Sequence, residues 1–242
     1  MNGLVVGAGE MGRWLADVLG DAGFEVAVAD ADPDVAAAAA DARGARAVAV
    51  DGGERFDLVC VAVPIPAAED AIAAAAPRAN RAVLDVTGTM ADPVAAMREH
   101  APDRERVSFH PLFAADAEPG NVAVVPDAAG PVTDAVRETL AERENHLFET
   151  TSEEHDRAME TVQARVHAAV LAYGLAAEEV PEEFHTPVSA GLTELVERVT
   201  GGDGRVYADI QAAFDGAEDV AEAARRVAEA DRETFRRLYE DA

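Results

Sequence analysis

One short glycine-rich segment constrains the fold of this chain more than any other feature. The sequence LVVGAGEMGRW, residues 4–14, places three glycines in the spacing G-x-G-x-x-G directly after an apolar run. Between a strand and a helix, the first glycine permits a tight turn, the second lets a pyrophosphate approach the backbone, and the third lets the helix pack on the strand. The motif predicts a dinucleotide site at the start of a helix. Its candidate cofactor-binding residues are Gly7, Gly9, Glu10, Met11 and Gly12.

A carboxylate follows the glycines at the distance that ribose recognition requires. Asp30 ends the apolar run FEVAVAD about twenty residues past the motif, where it can accept hydrogen bonds from the adenosine ribose hydroxyls. A carboxylate there repels a 2′-phosphate, and no arginine follows nearby, so the sequence favours NAD over NADP. Asp32 is an alternative ribose ligand. Pro64, at the end of the run DLVCVAVP, is a further candidate cofactor contact.

The order of apolar runs predicts the fold class. Up to about residue 150, short β-like runs alternate with alanine-rich helical patterns, which is typical of a parallel sheet covered by helices. After HLFETT, residues 146–151, only helical patterns remain. We therefore predict an α/β fold in two domains. A Rossmann-type doubly wound parallel sheet over residues 1–150 would bind NAD, and an all-helical C-terminal domain over residues 151–242 would serve substrate binding and dimerisation.

The charge of the chain excludes two classes of partner. Its 20 Lys+Arg residues oppose 47 Asp+Glu, for a formal net charge of −27 at pH 7. Such a surface repels nucleic-acid phosphates and anionic membranes, so we expect neither as a partner. Every basic residue is arginine, and an acidic, lysine-free surface is typical of a protein kept soluble in molar salt, where charge repulsion is screened. We expect an extreme halophile as the source; an acidic protein from a GC-rich genome is the alternative.

The single cysteine and the amino terminus predict a compartment. Cys60 lies in the apolar run LVCVAV, cannot form an intrachain disulfide, and is expected in the core. The chain starts directly with a strand pattern, and no apolar run approaches the roughly 20 residues of a membrane span. These features favour a protein of the reducing cytoplasm. We predict no bound metal.

One histidine stands where ligands of parallel sheets bind. In VSFHPLFA, residues 107–114, His110 ends a predicted strand and precedes a proline. Ligands of open α/β sheets lie at the carboxyl ends of the strands. A neutral imidazole there can act as a general base that accepts a hydroxyl proton. A histidine held by backbone hydrogen bonds in a turn is the equally weighted alternative.

Three segments, in this order along the chain, resemble motifs of the prephenate dehydrogenase family. HPLF, which begins at His110, resembles the motif HPMFGP. Residues 152–174 resemble the E-H-D helix of the family, and residues 186–210 resemble the segment that opens with Ser-Pro and closes with Y-A-D-I. The resemblance implies NAD-dependent oxidative decarboxylation of prephenate to 4-hydroxyphenylpyruvate, in tyrosine biosynthesis. It also implies that His110 is catalytic and takes the ring hydroxyl proton, and that the protein is a homodimer.

The turn in LDVTGTM, residues 84–90, departs from the family pattern. Relatives carry a serine and usually a lysine where this chain has Gly88 and Met90. The serine of relatives helps to orient the histidine and the substrate. That role is vacant here or falls to Thr87 or Thr89, which we take as candidate substrate-binding residues. The family motif HPMFGP has also become HPLFAA.

The family arginine that holds a prephenate carboxylate is missing. Ala190 occupies its position. Prephenate is a dianion, so some local group must supply positive charge, and an arginine with two parallel hydrogen bonds is the usual solution. The candidates are Arg165, one residue out of register from an arginine common in relatives, and Arg157, Arg198 and Arg205. Backbone N–H groups of a helix beginning at Pro187 could add donors.

The segment after Thr151 predicts a helix that carries candidate site residues. Thr151 opens a capping box, and an uninterrupted helix of about six turns follows. Gln163 and His167, four residues apart, share a face and are candidate substrate ligands; a buried structural pair is the alternative. His155 either belongs to the site or lies on the surface of the first turn, with Asp156 there to favour the helix dipole.

Two other functions compete with prephenate oxidation. The first is the same chemistry on another acid, arogenate or a different substrate of a two-domain NAD-dependent dehydrogenase, because Ala190 has replaced the arginine. The second is a non-catalytic, dinucleotide-binding regulatory protein. Retention of His110 and of the whole glycine motif argues against the second, because a protein that only binds needs no base.

Overall fold

The computed structural model describes residues 1–241, which form two compact units. Unit 1 ends at Asp156 and unit 2 begins at Arg157. The predicted helical domain also included residue 242, which lies outside the described residues. None of the helices within residues 1–241 combines the length and apolar character needed to cross a bilayer.

Unit 1 contains all the strands of the described chain. They are β1 Asn2–Val6, β2 Glu25–Ala29, β3 Arg46–Ala47, β4 Phe56–Val61, β5 Ala79–Asp85, β6 Glu105–Pro111, β7 Asn121–Ala128 and β8 His146–Glu149. The helices between them are α1 Glu10–Asp21, α2 Pro33–Asp41, α3 Ala68–Ala75, α4 Ala91–His100 and α5 Pro131–Glu142. Strands such as FDLVCV in β4 are almost wholly buried, because a sheet covered on both faces has no solvent side.

The strands form one sheet in the order β3-β2-β1-β4-β5-β6-β7-β8. From β3 to β6 all neighbours are parallel, and the strand order reverses direction between β1 and β4, where doubly wound sheets bind ligands. The predicted α/β, Rossmann-type fold is confirmed. β7 pairs antiparallel to β6, because the short connection 112–120 contains only a 3-10 turn and lacks the helix that a parallel crossover needs.

Two apolar clusters cover the two faces of the sheet. One packs α1 and α5 on the sheet, with Leu15, Leu19, Val136 and Leu140 among its residues. The other packs α3 and α4 on the opposite face, with Ile72, Val94 and Met97. Cys60 is wholly buried in the first cluster, as predicted.

The remaining described chain is helical. It comprises α6 Ser152–Met159, a π-helical segment Glu160–Arg165, α7 Val166–Ala176, α8 Pro187–Thr200, α9 Gly204–Ala213, α10 Ala217–Glu229 and α11 Arg232–Asp241. The boundary between the units falls inside α6. The uninterrupted helix predicted after Thr151 begins as expected, with the Thr151 hydroxyl accepting from the Glu154 N–H. Its regular i to i+4 bonding is broken by the π segment, a feature that is frequent at functional sites.

Candidate active site

The glycine-rich turn between β1 and α1 is shaped by contacts that only glycine allows. Gly7 has a φ of 101°, and a Cβ there would lie 2.2 Å from the carbonyl oxygen of Ala62. A Cβ on Gly12 would lie 1.9 Å from the carbonyl oxygen of Gly7. A Cβ on Gly9 would meet nothing within 4 Å, and Gly9 leaves the start of α1 without a side-chain cap. The turn therefore offers open space and uncapped N–H groups, which fit a pyrophosphate.

Asp30 lies directly at this turn. Its Oδ2 accepts the N–H of Ala8 at 2.7 Å, and its Oδ1 accepts the N–H of Asp32 at 2.9 Å. Asp32 itself caps α2 by accepting from the N–H of Asp34. Both candidates for ribose binding are present, but Asp30 is the one tied to the glycine turn. A carboxylate can accept more than two hydrogen bonds, so Asp30 retains capacity for a ribose hydroxyl.

The other predicted cofactor residues lie around the same turn. Glu10 is exposed in the first turn of α1, and Met11 packs partly buried against the apolar cluster beneath it. Pro64 is exposed just beyond the carboxyl end of β4, the strand next to β1. Carboxyl ends of neighbouring parallel strands share one edge of the sheet, so Pro64 and the glycine turn lie at the same edge.

The turn after β5 is held by a buried carboxyl. Thr87 donates its N–H to Asp85 Oδ2 at 3.0 Å, and the Thr87 Oγ1 lies 2.5 Å from the same oxygen and 3.0 Å from the Thr89 carbonyl oxygen. Burial raises the pKa of Asp85 to about 6, against the hydrogen bonds from Thr87. Thr87 and Thr89 are buried, and within residues 1–241 no hydrogen bond joins either of them to His110. Thr87 is therefore occupied with shaping the turn.

His110 belongs to a buried chain of polar groups. It lies in β6, and its Nδ1 is 2.8 Å from the Nε2 of His155 in α6. The Nδ1 of His155 is 2.8 Å from Asp156 Oδ1. The Asp156 carboxylate accepts the N–H groups of Met90 and Ala91, both at 3.0 Å. Asp156 thus caps the start of α4 and connects it to the two histidines.

The pKa values along this chain of groups move in the same direction. Burial, with a contribution from His155, lowers the pKa of His110 to about 3. Burial acts to raise the pKa of Asp156, but hydrogen bonds from His155 and from the Met90 and Ala91 N–H groups outweigh it and hold the pKa below its usual value. Near neutral pH His110 is therefore uncharged and Asp156 is ionised.

The free nitrogen of His110 points to the turn that carries Gly88. A Cβ on Gly88 would lie 3.9 Å from His110 Nε2 and 3.0 Å from Ile65 Cδ1. Glycine at this position leaves the space beside Nε2 without a neighbouring side chain from residue 88. The arrangement can accept a proton at Nε2 from a molecule bound there.

The sequence left open whether His155 is a site residue or a surface residue. The alternative of a surface position is wrong, because the His155 side chain is 1% exposed. Asp156 does favour a helix dipole, but that of α4 and not of its own helix. The residues SEEHDR, 152–157, are typical of an exposed first turn, so only the E-H-D pattern itself could have signalled the contact with His110.

Unit 2 holds three of the predicted substrate residues. Gln163 lies in the π segment and His167 in α7, and Gln163 Oε1 and His167 Nδ1 are buried without a hydrogen-bond partner among the described residues. Burial lowers the pKa of His167, whose ring packs edge-on against Tyr207 at 4.8 Å. Arg165 is already paired, with its Nη2 2.6 Å from Asp219 Oδ2. The structure leaves two polar atoms here for a ligand or water to satisfy.

The other arginine candidates lie on exposed or paired positions. Arg198 is exposed in the last turn of α8, at the opposite end from Ala190. Arg205 is exposed and lies 3.6 Å from Asp203. Arg157 makes an interaction of its own. Across residues 1–241, His, Cys, Asp and Glu side chains form no group of three that could hold a metal ion.

The fold and these residues define a class of protein. A doubly wound sheet with a glycine cradle at its strand reversal and a buried histidine at the same edge is the arrangement of a nucleotide-dependent oxidoreductase. Residues 15–125 match the family model described as prephenate dehydrogenase, nucleotide-binding domain. The chain is 31% identical over 266 aligned positions to the 4-amino-4-deoxyprephenate dehydrogenase of Streptomyces pristinaespiralis, covering 98% of this chain and 88% of that protein. The chain belongs to the prephenate dehydrogenase family.

Further relatives agree with this assignment. A probable arogenate/prephenate dehydrogenase of Methanocaldococcus jannaschii is 26% identical over 86% of this chain, which spans 50% of that protein's length. The structure of a prephenate dehydrogenase from Aquifex aeolicus, in complex with hydroxyphenyl propionate and NAD+, has a TM-score of 0.75 at 18% identity, covering 99% of this chain and 95% of that one. Arogenate dehydrogenase from Synechocystis has a TM-score of 0.62 at 16% identity, covering 100% and 97% of the two chains. At these identities the two structures show the shared fold.

Proposed function

We propose that this protein is an NAD-dependent dehydrogenase that converts prephenate to 4-hydroxyphenylpyruvate by oxidative decarboxylation, in tyrosine biosynthesis. The observation that carries the proposal is His110, buried and uncharged at the carboxyl edge of the sheet with its Nε2 beside Gly88. Family membership supplies the reaction class. The Aquifex aeolicus enzyme of the same fold was crystallised with NAD+ and a hydroxyphenyl compound, which supports both the cofactor and an aromatic product.

The glycine cradle would hold the dinucleotide. Its pyrophosphate would approach the backbone at Gly9 and the uncapped start of α1, while Asp30 would accept from the adenosine ribose. Asp30 also supports the preference for NAD over NADP, because its carboxylate would repel a 2′-phosphate. A dinucleotide held there would supply the acceptor for the hydride of the hydroxyl-bearing ring carbon of the substrate.

The chain's own contribution to the chemistry is a base and the polar side chains that would hold the substrate beside it. His110 Nε2 would accept the ring hydroxyl proton while carbon dioxide is lost, and aromatisation drives the reaction. Thr87 and Thr89 would shape the turn that faces the substrate, and Gln163 and His167 remain proposed substrate ligands because their buried polar atoms lack partners. Arg165 would have to exchange Asp219 for a substrate carboxylate.

The names of two relatives point to two alternative substrates. The Streptomyces pristinaespiralis protein acts, by its name, on 4-amino-4-deoxyprephenate, and arogenate is named for the Methanocaldococcus jannaschii protein. These compounds differ from prephenate in one polar group each, at the ring or in the side chain. Alanine at position 190 would affect the choice among these substrates. The arginine found there in relatives would supply a positive charge that favours a dianion, and this chain lacks that charge.

We also propose a homodimer formed through unit 2. Among its large apolar side chains, Leu175 is 89% exposed, Phe184 75% and Val188 74%. An apolar surface of this kind marks an interaction site in a water-soluble chain. Multi-angle light scattering in molar KCl should give twice the 25.3 kDa chain mass; a monomer at micromolar concentration would contradict the proposal.

A halophilic, cytoplasmic setting fits the composition. The net charge of −27 without lysine predicts that activity and stability rise from low salt to molar KCl, as the Debye length falls from about 10 Å to about 3 Å. The buried free thiol of Cys60 is compatible with a reducing compartment. Activity that is highest at low ionic strength would contradict a halophilic origin.

One assay tests the proposed function and separates its rivals. NADH formation is measured in molar KCl with prephenate, arogenate, 4-amino-4-deoxyprephenate and no substrate, and each is repeated with NADP. We expect the largest kcat/KM for prephenate with NAD, and a loss of roughly 10²–10⁴-fold in His110→Asn. Turnover of only another compound assigns that substrate instead. NAD binding without any turnover would support the regulatory protein and refute the enzyme.

A further inference from the structure

We propose that His155 and Asp156 act as positioning residues for His110, fixing its proton on Nδ1 and taking up the positive charge that arises when Nε2 accepts a proton. The inference rests on the proposed function for the source of that proton. It stands on three consecutive contacts, His110 Nδ1 to His155 Nε2, His155 Nδ1 to Asp156 Oδ1, and Asp156 to the start of α4.

The hydrogen bonds determine where each proton sits. Asp156 accepts two backbone N–H groups and is ionised, so the atom 2.8 Å from its Oδ1, His155 Nδ1, must be a donor. A neutral His155 then has its lone pair on Nε2. His155 Nε2 lies 2.8 Å from His110 Nδ1. Because Nε2 is the acceptor of this hydrogen bond, the proton of His110 must be on Nδ1. The lone pair of His110 is therefore on Nε2, beside Gly88.

The two histidines differ in how well they can carry a positive charge. His110 is bonded to a neutral imidazole and is buried, so its protonation is opposed. His155 touches a carboxylate at 2.8 Å, so an imidazolium there forms an ion pair. Asp85, the other buried carboxyl of this region, is bonded to Thr87, and no hydrogen bond from it to either histidine exists within residues 1–241.

The proposed step is a double proton transfer. The substrate O–H bond breaks as an N–H bond forms at His110 Nε2, and the His110 Nδ1–H bond breaks as an N–H bond forms at His155 Nε2. The net result is a neutral His110 and an imidazolium at His155 paired with Asp156. After the product leaves, the same transfers run in reverse, and His110 Nε2 releases the proton to water. No protein group changes its oxidation state.

The substitution His155→Gln separates charge uptake from simple orientation. The side-chain oxygen of glutamine can accept the His110 Nδ1–H, but it cannot take a proton. In His155→Gln we expect kcat to fall at least tenfold, with NAD affinity unchanged by calorimetry. His146→Gln, on the exposed strand β8, is the matched control and should keep wild-type kcat. Full activity of His155→Gln would overturn charge uptake by His155.

A second measurement needs neither substrate nor a folded variant. With ¹⁵N-labelled histidine, NMR of the wild-type protein near neutral pH reports which ring nitrogen carries the proton. We expect a proton on Nδ1 of each ring, and none on His110 Nε2. A proton on His110 Nε2 would overturn the proposal even if prephenate is turned over. If the expected tautomers are found but no substrate reacts, the proposed function fails and the assigned positioning remains.

Discussion

The two units use their apolar residues in opposite ways. In unit 1 the large apolar side chains cover both faces of the sheet, and its exposed ones are Met1, Val50 and Phe148. In unit 2 the buried apolar residues are Met159, Ala164, Val170, Ile210 and Phe214. Its exposed ones are Val162, Val166, Leu175, Val180, Phe184, Val188, Leu195, Val206, Val227, Phe235 and Tyr239. Unit 1 therefore has a complete core, whereas unit 2 leaves most of its large apolar side chains on its surface, where the proposed dimer would cover them.

This difference separates two kinds of sensitivity to substitution. In unit 1, added volume meets atoms that are already in place, and the effect follows from the chain alone. In unit 2, if its exposed apolar side chains form the proposed dimer interface, the effect of a substitution among them depends on protein concentration. Substitutions matched for chemistry but placed in the two units can test the contrast.

The largest effect is expected at the glycine turn of unit 1. In Gly12→Val the new Cβ would lie 1.9 Å from the Gly7 carbonyl oxygen. The turn must therefore open, and NAD binding should be abolished. Gly20→Ala in the same helix is the control, because its Cβ would meet nothing within 4 Å. Calorimetric titration with NAD measures both variants. Retained affinity in Gly12→Val would show that the turn is not the pyrophosphate site.

Sequence predicted unit 1 well because its strands are locally encoded. Runs such as LVV and DLVCV join β-branched residues to flanking turn signals, and the glycine spacing fixes which turn follows β1. β3 is much shorter than its apolar run: RAVAV, residues 46–50, predicts a strand of five residues, but only Arg46–Ala47 pair with β2. An edge strand has a single neighbour, so its length depends on where the chain turns away, which a local pattern does not record.

The next effect concerns the proposed dimer. Leu175→Asp places a charge at the most exposed apolar side chain of unit 2. It should weaken dimerisation by at least about a hundredfold. In the dimer each subunit would lose a leucine from the interface and would have to desolvate a charge. Phe148→Asp, on the 37% exposed side chain in β8, should leave the dimer intact. Sedimentation velocity over a concentration series measures both. Equal dimer stability in the two variants would remove the contrast between the units.

The site was less predictable than the sheet because its key contacts are distant in sequence. His110 stood out, since a histidine at a strand end is visible in VSFHP. His155 did not, because its burial depends on β6, 45 residues away. Asp156 caps a helix that begins 65 residues earlier. Likewise, the sequence of the π segment that contains Gln163, ETVQAR, carries no signal that distinguishes it from an α-helix.

A pH-dependent stability is expected from Asp85. Its pKa rises from 3.8 to about 6 on folding, so the folded state holds this proton more tightly. The contribution is fully present below the unfolded value and is lost as pH rises through about 6, a change of about 3 kcal/mol. Wild type should therefore lose most of that stability relative to Asp85→Asn between pH 4 and pH 7, measured by urea unfolding.

The difference between wild type and Asp85→Asn isolates the pH dependence of Asp85 from the opposing pH dependence of His110. The pKa of His110 is lowered to about 3, so its contribution is lost as pH falls through that value, and stability rises with pH up to about 6.5. Both proteins contain His110, so its effect cancels in their difference. A stability difference that is flat from pH 4 to pH 7 would mean that Asp85 has the same pKa folded and unfolded.

The smallest changes in stability are expected at two glycines of unit 2, one on a packed helix face and one on an open face. A Cβ on Gly174 in α7 would lie 2.9 Å from Val196 Cγ1 in α8, and valine has little rotamer freedom with which to move. Gly174→Ala should therefore destabilise by about 1–3 kcal/mol. A Cβ on Gly191 in α8 would meet nothing within 4 Å, so Gly191→Ala should stabilise by about 0.5–1 kcal/mol through its higher helix propensity.

Denaturant unfolding at fixed protein concentration measures both, and Gly191→Ala is repeated at a tenfold lower concentration. If Gly191→Ala instead destabilises, and more so at high concentration, another copy of the chain occupies the space beside residue 191, and the interface of unit 2 extends to the first turns of α8.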